Sequence, residues 1–543
     1  MTAAELLVRC LENEGVEVIF GLPGEENVDI MDVLLDSKIR FVMTRHEQAA
    51  AFMADVYGRL TGRAGVCLAT LGPGATNLMT GVADANMDHA PVVAISGQST
   101  TARMHKESHQ YLDLVNLFRP ISKYSIQVID PTTVAEVVRK AFKRAQTEKP
   151  GVSFIDFPEN IAKMEAADKT PLRVQNPMQP VARAEKIKQA ADLISSARYP
   201  LIMAGNGVIR ARAAKELVRF AARLNIPVAN TFMAKGVIPF SHPLWLGAVG
   251  LQARDYVACG FDRADVIVCV GYDMVEYHPN RWHPNKDRRI VHIDGAPAEV
   301  DEYYLPDVEV VGHIGMALDV LAAHTKPQKH FPASLWQAIM SELSAHADDA
   351  SFPLKPQRLA WDLQRVLAAQ CTVICDVGAH KIWMARMYQP EQPNTCIISN
   401  GFAAMGISLP GAIAAKIAFP RRKVVAVTGD AGFMMNSQEI ETALRIGTPI
   451  VIVIWNDGGY GLIEWHQLQR FGRPSHVKFS NPDFVKYAES FGAKGYRVGA
   501  ADDLVPILKQ ALADDTVVVV DCPVDYTENM KLTERLSKMV CPV

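Results

Sequence analysis

Residues 429–433 read GDAGF and residues 456–460 read NDGGY, and the chain around these two runs decides the fold. Each run directly follows an apolar segment typical of a buried strand, VVAVT at residues 424–428 and IVIVIW at residues 450–455. A helix-like segment separates the two strands, so the pattern predicts a βαβ unit with parallel strands. The C-terminal ends of parallel strands share one edge of the sheet, where such sheets bind ligands.

Two aspartates, Asp430 and Asp457, stand at these strand ends, each in a glycine turn. Unpaired N–H groups where a helix begins attract anions. Hard carboxylate oxygens beside such amides suit Mg²⁺ shared between the protein and a diphosphate. The alternative is an ordinary βαβ unit with capping aspartates, because glycine turns recur throughout α/β sheets. This stretch alone leaves both interpretations open.

Composition limits the remaining possibilities. The 543 residues are too many for one core and enough for about three domains. Apolar residues make up 49% and charged residues 21%, as in globular proteins. With a net charge of −3 and a pI near 6.6, neither nucleic acid nor a membrane is an expected partner. The N-terminus lacks a signal-peptide pattern and no apolar run approaches a membrane span, so we expect a cytoplasmic protein. Nine cysteines without a C-x-x-C pair indicate reduced thiols.

Strands and helices alternate through the first third of the chain, for example a strand at 16–20, a strand at 40–43 and a helix at 47–60. This alternation predicts parallel α/β organisation. Residues 45–54 read RHEQAAAFMA and open a largely apolar helix with Glu47 in its first turn. In an anonymous helix that acid would simply compensate the dipole. Downstream, residues 72–77 read GPGATN.

In combination these motifs resemble the thiamine diphosphate-dependent enzymes and their Gly-Asp-Gly…Asn-Asn motif, with alanine at the third letter and aspartate at the last. The resemblance implies thiamine diphosphate and Mg²⁺ as cofactors, with the metal held by Asp430, Asp457 and the carbonyl of Gly459. It implies that Glu47 hydrogen-bonds the aminopyrimidine ring and favours the imino tautomer, whose nitrogen removes the thiazolium C2 proton. Further cofactor contacts implied in this way are Gly429, Ala431, Gly432 and Tyr460.

Two more positions acquire a role from the same resemblance. Residues 378–380 read GAH after a strand predicted at 373–377. Gly378 and His380 are then diphosphate contacts, whereas the alternative for the histidine is a helix cap. Met405 lies in a small-residue stretch at 399–412 that we interpret as a helix start. A methionine there usually fills the core, but the resemblance makes it the bulky residue that wedges between the two cofactor rings.

Residues 103–125 are similar to the flavin-free, catabolic acetolactate synthases. In that group a His-Gln pair, here His109 and Gln110, faces the thiazolium, whereas pyruvate decarboxylases carry two adjacent histidines. Replacing the second histidine removes a proton donor for the carbanion, which then lives long enough to attack a second carbonyl. This favours carboligation. His466 favours the opposite outcome, because those synthases carry glutamine there and a histidine could protonate the intermediate.

We therefore expect a synthase that decarboxylates pyruvate and adds the two-carbon unit to a second 2-oxo acid. The alternative is a non-oxidative 2-oxo acid decarboxylase that releases an aldehyde. It is supported by His466 and by acids, Glu25 and Glu26, where the synthases have a lysine; these acids would repel a substrate carboxylate if they faced the site. A non-catalytic binding protein is a third hypothesis, disfavoured because Glu47 and both metal positions are intact.

The predicted architecture is α/β, with three domains that each contain a mainly parallel sheet flanked by helices. The resemblance gives a pyrimidine-binding domain at 1–165, a Rossmann-like central domain at 185–345, a diphosphate-binding domain at 355–525 and a tail at 526–543. In the central domain, GNG at 205–207 lacks the third glycine of the dinucleotide fingerprint, so FAD is not expected. The family also implies a homodimer or homotetramer with active sites between subunits.

Overall fold

The computed structural model describes residues 1–175, 179–250, 256–328 and 333–537. Over these ranges strands and helices alternate, and the strands form three six-stranded sheets in which every pairing is parallel. The predicted α/β class with three helix-flanked sheets is confirmed. None of the helices in the described ranges has the length and hydropathy that crossing a bilayer requires.

The strands are named in chain order. They are β1 (Val18–Gly21), β2 (Arg40–Met43), β3 (Gly65–Ala69), β4 (Val92–Gln98), β5 (Tyr124–Gln127), β6 (Val152–Pro158), β7 (Pro200–Ala204), β8 (Val228–Thr231), β9 (Trp245–Val249), β10 (Val266–Val270), β11 (Arg289–Asp294), β12 (Val308–Val311), β13 (Thr372–Cys375), β14 (Cys396–Ile398), β15 (Val424–Gly429), β16 (Val451–Asn456), β17 (Lys494–Arg497) and β18 (Val518–Pro523).

The α-helices are named in the same way. They are α1 (Ala3–Asn13), α2 (Val28–Leu35), α3 (Glu47–Thr61), α4 (Pro73–Met87), α5 (Leu114–Phe118), α6 (Val134–Gln146), α7 (Glu159–Lys163), α8 (Ala184–Ser195), α9 (Gly207–Arg210), α10 (Ala214–Leu224), α11 (Tyr256–Arg263), α12 (Ile314–His324), α13 (Ala333–Ser344), α14 (Pro356–Val366), α15 (Ala379–Met387), α16 (Ser408–Ala418), α17 (Asp430–Asn436), α18 (Glu439–Arg445), α19 (Gly461–Phe471), α20 (Phe484–Ser490), α21 (Leu504–Ala513) and α22 (Glu528–Ser537).

The chain divides into two compact units. The first comprises residues 1–178, 401–421 and 434–450, and the second comprises residues 179–400, 422–433 and 451–543. The first unit contains the sheet with strand order β2-β1-β3-β4-β6-β5. The second unit contains two sheets, with orders β12-β11-β10-β7-β8-β9 and β14-β13-β15-β16-β18-β17.

Helix α3 runs through the interior of the first unit, and its small residues explain how it can do so. Its three consecutive alanines, residues 49–51, are fully or almost fully buried. It packs against α4 and α16. A Cβ added at Gly81 of α4 would lie only 2.6 Å from the Cβ of Ala51, so glycine and alanine together let the helices approach closely. Glu47 is thereby presented from a rigid element.

In the second unit, β15 and β16 are neighbouring parallel strands with Gly429 paired to Trp455. Their side chains are apolar and buried, as expected for strands covered on both faces. The pairing brings the strand ends that carry Asp430 and Asp457 side by side, which confirms the prediction from the two glycine runs.

The structure corrects the predicted bounds of two strands. The strand predicted at 16–20 begins at Val18, because Val16 N–H donates to the Leu11 carbonyl and closes the end of α1. The strand predicted at 373–377 covers Thr372–Cys375 instead. The chain turns there, with the N–H of Val377 donating to the side chain of Asp376.

The predicted helix start around Met405 is wrong. The helix α16 begins at Ser408, and Met405 lies in the turn before it. Ala403 and Gly406 have positive φ angles of 57° and 92°, which are incompatible with a right-handed helix.

Seven cysteines are free and buried, as predicted. Cys259 departs from that prediction, because it is disulfide-bonded. Cys541 lies outside the described residues.

Candidate active site

Asp430 and Asp457 lie together at the C-terminal edge of the third sheet. Asp430 Oδ2 accepts hydrogen bonds from Gly458 N–H at 2.7 Å and from Asn481 Nδ2 at 2.7 Å. Its Oδ1 accepts from Ala431 N–H at 2.8 Å. By contrast, Asp457 Oδ2 is buried and has no hydrogen-bond partner. The pair therefore presents one fixed carboxylate and one with an unused oxygen.

Electrostatics give this pair a preference for a cation. Burial raises the pKa of Asp430. Burial and then the negative charge of Asp430 raise the pKa of Asp457 to about 7. Two crowded carboxylates disfavour ionisation, and a divalent cation would remove that conflict. Since the described residues contain no cluster of three or more His, Cys, Asp and Glu side chains able to hold a metal, the remaining ligands would be backbone or ligand oxygens.

The glycine turn after Asp457 packs closely against Val477 and against the carboxyl group of Asp457 itself. Gly458 has a φ of +63°, a conformation that favours glycine. A Cβ at Gly461 would lie 2.8 Å from Asp457 Oδ2, and one at Gly459 would lie 2.9 Å from the Val477 carbonyl oxygen. Between these glycines, the partly exposed Tyr460 makes an edge-to-face contact with Phe479.

His380 joins the same edge, because β13 is the neighbour of β15. It is buried in the first turn of α15, and its ring lies against Gly429, where a Cβ would be 3.2 Å from Nδ1. Burial lowers its pKa to about 3, so the ring is neutral. Its Nε2 has no hydrogen-bond partner. Gly378 precedes the helix with φ 157° and ψ −164°, a conformation suited to glycine.

A phosphate-bearing cofactor with a metal fits this edge. Four buried polar atoms here have no hydrogen-bond partner: Asp457 Oδ2, His380 Nε2, Trp455 Nε1 and the Tyr526 hydroxyl. Buried polar groups in native proteins are almost always hydrogen-bonded, so four unpartnered atoms at one edge of the sheet indicate a ligand site. Gly432 also belongs to it, since a Cβ there would lie 2.9 Å from Asp376 Oδ1.

Glu47 lies in the first unit as the first residue of α3 and is buried. Its Oε2 accepts a hydrogen bond from Asn77 Nδ2 at 3.0 Å. A Cβ at Gly74 would be 3.5 Å from its Oε1. The GPGATN segment, which begins α4, therefore lies beside both oxygens of Glu47.

The His109–Gln110 pair lies on an exposed loop. Gln110 has a φ of +57°, and its backbone packs against Gly72, where a Cβ would be 2.9 Å from the Gln110 Cβ. Arg103 holds the loop by donating to the His109 carbonyl at 3.0 Å. The loop thus lies beside the same glycine turn that contacts Glu47.

Of the two acids that the sequence left undecided, Glu25 is exposed and Glu26 is buried. The Thr70 hydroxyl donates to Glu26 Oε2 at 2.8 Å. Thr70 also lies beside Gly74, where a Cβ would be 2.9 Å from its methyl group.

The remaining two predicted positions are less enclosed. Met405 is partly buried in its turn, and the carbonyl of the next residue, Gly406, accepts from Asn436 Nδ2 at 2.9 Å. His466 is exposed on α19 and stacks on Trp465 with ring centroids 6.5 Å apart.

Three residues with contacts at these places were missed from the sequence: Asn481, Tyr526 and Glu439. Asn481 donates to Asp430, and Tyr526 stacks on Trp455 with ring centroids 6.5 Å apart. Both come from loops that carry no motif, so nothing local marks them. Glu439 follows the GDAGF run, but only its contacts in the fold reveal it.

The class of protein follows from matching this architecture to known families. The model of the thiamine pyrophosphate enzyme N-terminal TPP binding domain matches residues 1–117. The model of the central domain matches residues 187–321, and that of the C-terminal TPP binding domain matches residues 376–522. The chain belongs to the thiamine diphosphate-dependent enzymes.

Within that family the chain is similar to acetolactate synthases. It is 38% identical to acetolactate synthase of Bacillus subtilis, over 98% of this chain and 95% of the relative. It is 36% identical to the catabolic acetolactate synthase of Raoultella terrigena, over 98% of this chain and 97% of the relative. It is 34% identical to the acetolactate synthase large subunit of Corynebacterium glutamicum, over 96% of this chain and 86% of the relative.

Proposed function

We propose that the protein is an acetolactate synthase, which decarboxylates pyruvate and transfers the two-carbon unit to a second 2-oxo acid. The observation that carries the proposal is the pair of buried carboxylates at adjacent strand ends, one with an unpartnered oxygen. It stands in a chain whose 38% identity to an acetolactate synthase extends over nearly its whole length.

Asp430, Asp457 and the carbonyl of Gly459 hold Mg²⁺ in this proposal. Gly378 and His380 contact the diphosphate. Residues that complete the binding surface are Gly429, Ala431, Gly432 and Tyr460. Thiamine diphosphate, when bound, supplies a carbon nucleophile and an electron sink for decarboxylation. The uncompensated charge of the carboxylate pair supports the metal assignment.

Glu47 serves to hydrogen-bond the aminopyrimidine ring and to hold a proton there. Its burial keeps competing water away, and Asn77 fixes the orientation of the carboxylate. Met405 braces the two rings. Its turn contains residues with positive φ angles on either side, a backbone suited to holding one side chain in place.

His109 and Gln110 face the reacting carbon in this proposal, where Gln110 favours ligation. Glu26, which is buried and accepts a hydrogen bond from Thr70, limits which acceptor carboxylate fits, because like charges repel. His466 acts on the substrate side. The domain boundaries proposed are 1–165, 185–345 and 355–525, with a tail at 526–543.

FAD has no part in the proposed reaction. In the central sheet the N–H of Asn206 donates to both carboxyl oxygens of Glu276, at 3.0 and 3.2 Å. The amide that would meet a nucleotide phosphate after β7 is therefore already occupied by the protein's own side chain.

The active assembly is a homodimer or homotetramer, with Glu47 of one chain and the Asp430–Asp457 pair of another sharing each site. This arrangement rests on the family resemblance.

Purified protein incubated with pyruvate, thiamine diphosphate and Mg²⁺ tests the function. We expect CO₂ and acetolactate, which gives acetoin after acid treatment. Free acetaldehyde without acetolactate would favour a 2-oxo acid decarboxylase, and absence of CO₂ from any 2-oxo acid would contradict both. Glu47→Gln is the matched control, and it should lower turnover by about 10²–10⁴-fold with an unchanged fold.

A further inference from the structure

Glu439 is a buried acid that contacts the turn leading into Glu47. It begins α18, 394 positions away from Arg45 in the sequence, and its side chain is fully buried. Its Oε1 accepts from the N–H of Arg45 at 3.0 Å and from the N–H of His46 at 3.1 Å. Its Oε2 accepts from the hydroxyl of Thr442 at 2.6 Å. All these residues belong to the first unit.

Other side chains of this segment contact the same turn from both sides. Arg445 Nη2 donates to the carbonyl of Met43 at 2.5 Å. Asn436 Nδ2 donates to the side chain of Gln48 at 3.3 Å. Residues 436–445 therefore form hydrogen bonds with the residues immediately before and after Glu47, and these bonds hold the backbone on both sides of Glu47 in place.

The carboxyl group of Glu439 contacts the residues directly before α3, and their backbone determines where that helix begins. His46 is the N-cap of α3, and its own ring accepts from the N–H of Gln48 at 3.1 Å. The N–H groups of Arg45 and His46 precede the helix and have Glu439 as acceptor. Without the Glu439 carboxyl group, the backbone at Arg45 and His46 would move more freely, and the side chain of Glu47 would no longer be held in one orientation.

We propose that Glu439 is a positioning residue that fixes the orientation of Glu47 toward the cofactor. The inference rests on the proposed function, in which Glu47 is the activating acid. A displacement of about 1 Å at a reacting group can cost roughly 10²-fold in rate. Glu439 bonds the backbone of the turn that precedes Glu47, so in this proposal it acts on Glu47 through residues 45 and 46.

Three substitutions test this role. Glu439→Ala should lower kcat about 10- to 100-fold. Glu439→Gln should retain kcat within about 3-fold, because its amide oxygen still accepts from Arg45 and His46. The control is Glu136→Gln, the same chemical change on an exposed side chain of α6, and it should leave kcat unchanged. Equal kcat in Glu439→Ala and wild type would overturn the proposal.

A double-mutant cycle separates positioning from a general structural effect. With Glu47→Gln already present, Glu439→Ala should lower the residual turnover by less than about 2-fold, because the group that it positions is gone. The same loss in both backgrounds would overturn the proposal and show a role unrelated to Glu47.

Amide hydrogen exchange provides a readout that needs no turnover. In Glu439→Ala, peptides covering residues 44–48 should exchange faster than in wild type or Glu136→Gln, with or without thiamine diphosphate. Unchanged protection there would overturn the proposal even for a protein that acts on another substrate. Failure of the proposed function appears differently, as a wild-type protein that forms no product.

Discussion

Two glycine turns of the second unit look alike in sequence and differ in what they hold. GNG at 205–207 follows β7, and GDAG at 429–432 follows β15. At the first turn, Glu276 accepts from the N–H of Asn206 and of Asp273 and from the hydroxyl of Thr231. At the second, an oxygen of Asp457 and a ring nitrogen of His380 are buried without partners.

The difference teaches that a glycine turn at the end of a parallel strand is not in itself a ligand site. A Cβ at Gly205 would lie 2.8 Å from Glu276 Oε1, so this glycine makes room for the protein's own carboxyl group. At the turn after β15 the glycines surround polar atoms that still lack a partner. The decisive property is whether the turn's polar groups are already satisfied.

Removing a carboxylate from the second turn should have the largest effect. Asp457→Ala should lower turnover at least about 10³-fold, because loss of a metal ligand removes several kcal/mol of charge stabilisation. The same change should raise the thermal stability of the cofactor-free protein, because it relieves repulsion with Asp430. Turnover and unfolding of the cofactor-free protein measure the two effects. A cofactor-bound enzyme with normal turnover would contradict the metal assignment.

Removing the carboxyl group from the first turn should lower the stability of the protein and leave cofactor binding unchanged. Glu276→Ala should lower the free energy of unfolding by about 1–3 kcal/mol, because buried N–H groups lose their acceptor. Affinity for thiamine diphosphate should not change. Urea denaturation and cofactor titration test both statements, and weaker cofactor binding at unchanged stability would remove the contrast between the turns.

The pH dependence of stability sharpens the contrast further. Burial and the nearby Asp273 raise the pKa of Glu276, while Thr231, Asn206 and Arg210 oppose the shift. A carboxyl whose pKa is higher in the folded state contributes stability below its unfolded pKa and loses it as pH rises through the folded value. The wild-type protein should therefore lose at least about 1 kcal/mol relative to Glu276→Gln between pH 5 and pH 9. Parallel pH profiles for the two proteins would show that this carboxyl is not perturbed.

The smallest effect concerns added nucleotide. Thiamine diphosphate with Mg²⁺ should raise the unfolding temperature, since about 100 times Kd of a ligand adds roughly 2.7 kcal/mol. FAD at the same concentration should give no shift, because Glu276 occupies the amide it would need. A saturable shift with FAD would show that the first turn opens.

The sequence predicted much of the fold because its strands are apolar and regularly spaced. The strand predicted at 40–43 has those bounds in the structure, and the neighbouring ends at Asp430 and Asp457 were also predicted. Local patterns do not reveal long-range hydrogen bonds. The contacts of Glu276 with Asn206 and of Glu439 with Arg45 span 70 and 394 positions, and neither has a periodicity or a motif.

Local detail also limited prediction at two places. Whether Glu25 or Glu26 points inward depends on the orientation of one short helical turn, which the amino-acid sequence does not indicate. Met405 was expected on a helix because small residues surround it, but the positive φ of Ala403 breaks that helix. Tertiary contacts decide both cases.

The most direct test of the account is a crystal structure with thiamine diphosphate and Mn²⁺ in place of Mg²⁺. The account predicts one anomalous peak bonded to oxygens of Asp430 and Asp457, with the cofactor's aminopyrimidine ring at a Glu47 carboxylate. An anomalous peak elsewhere, or cofactor density away from these acids, would contradict it.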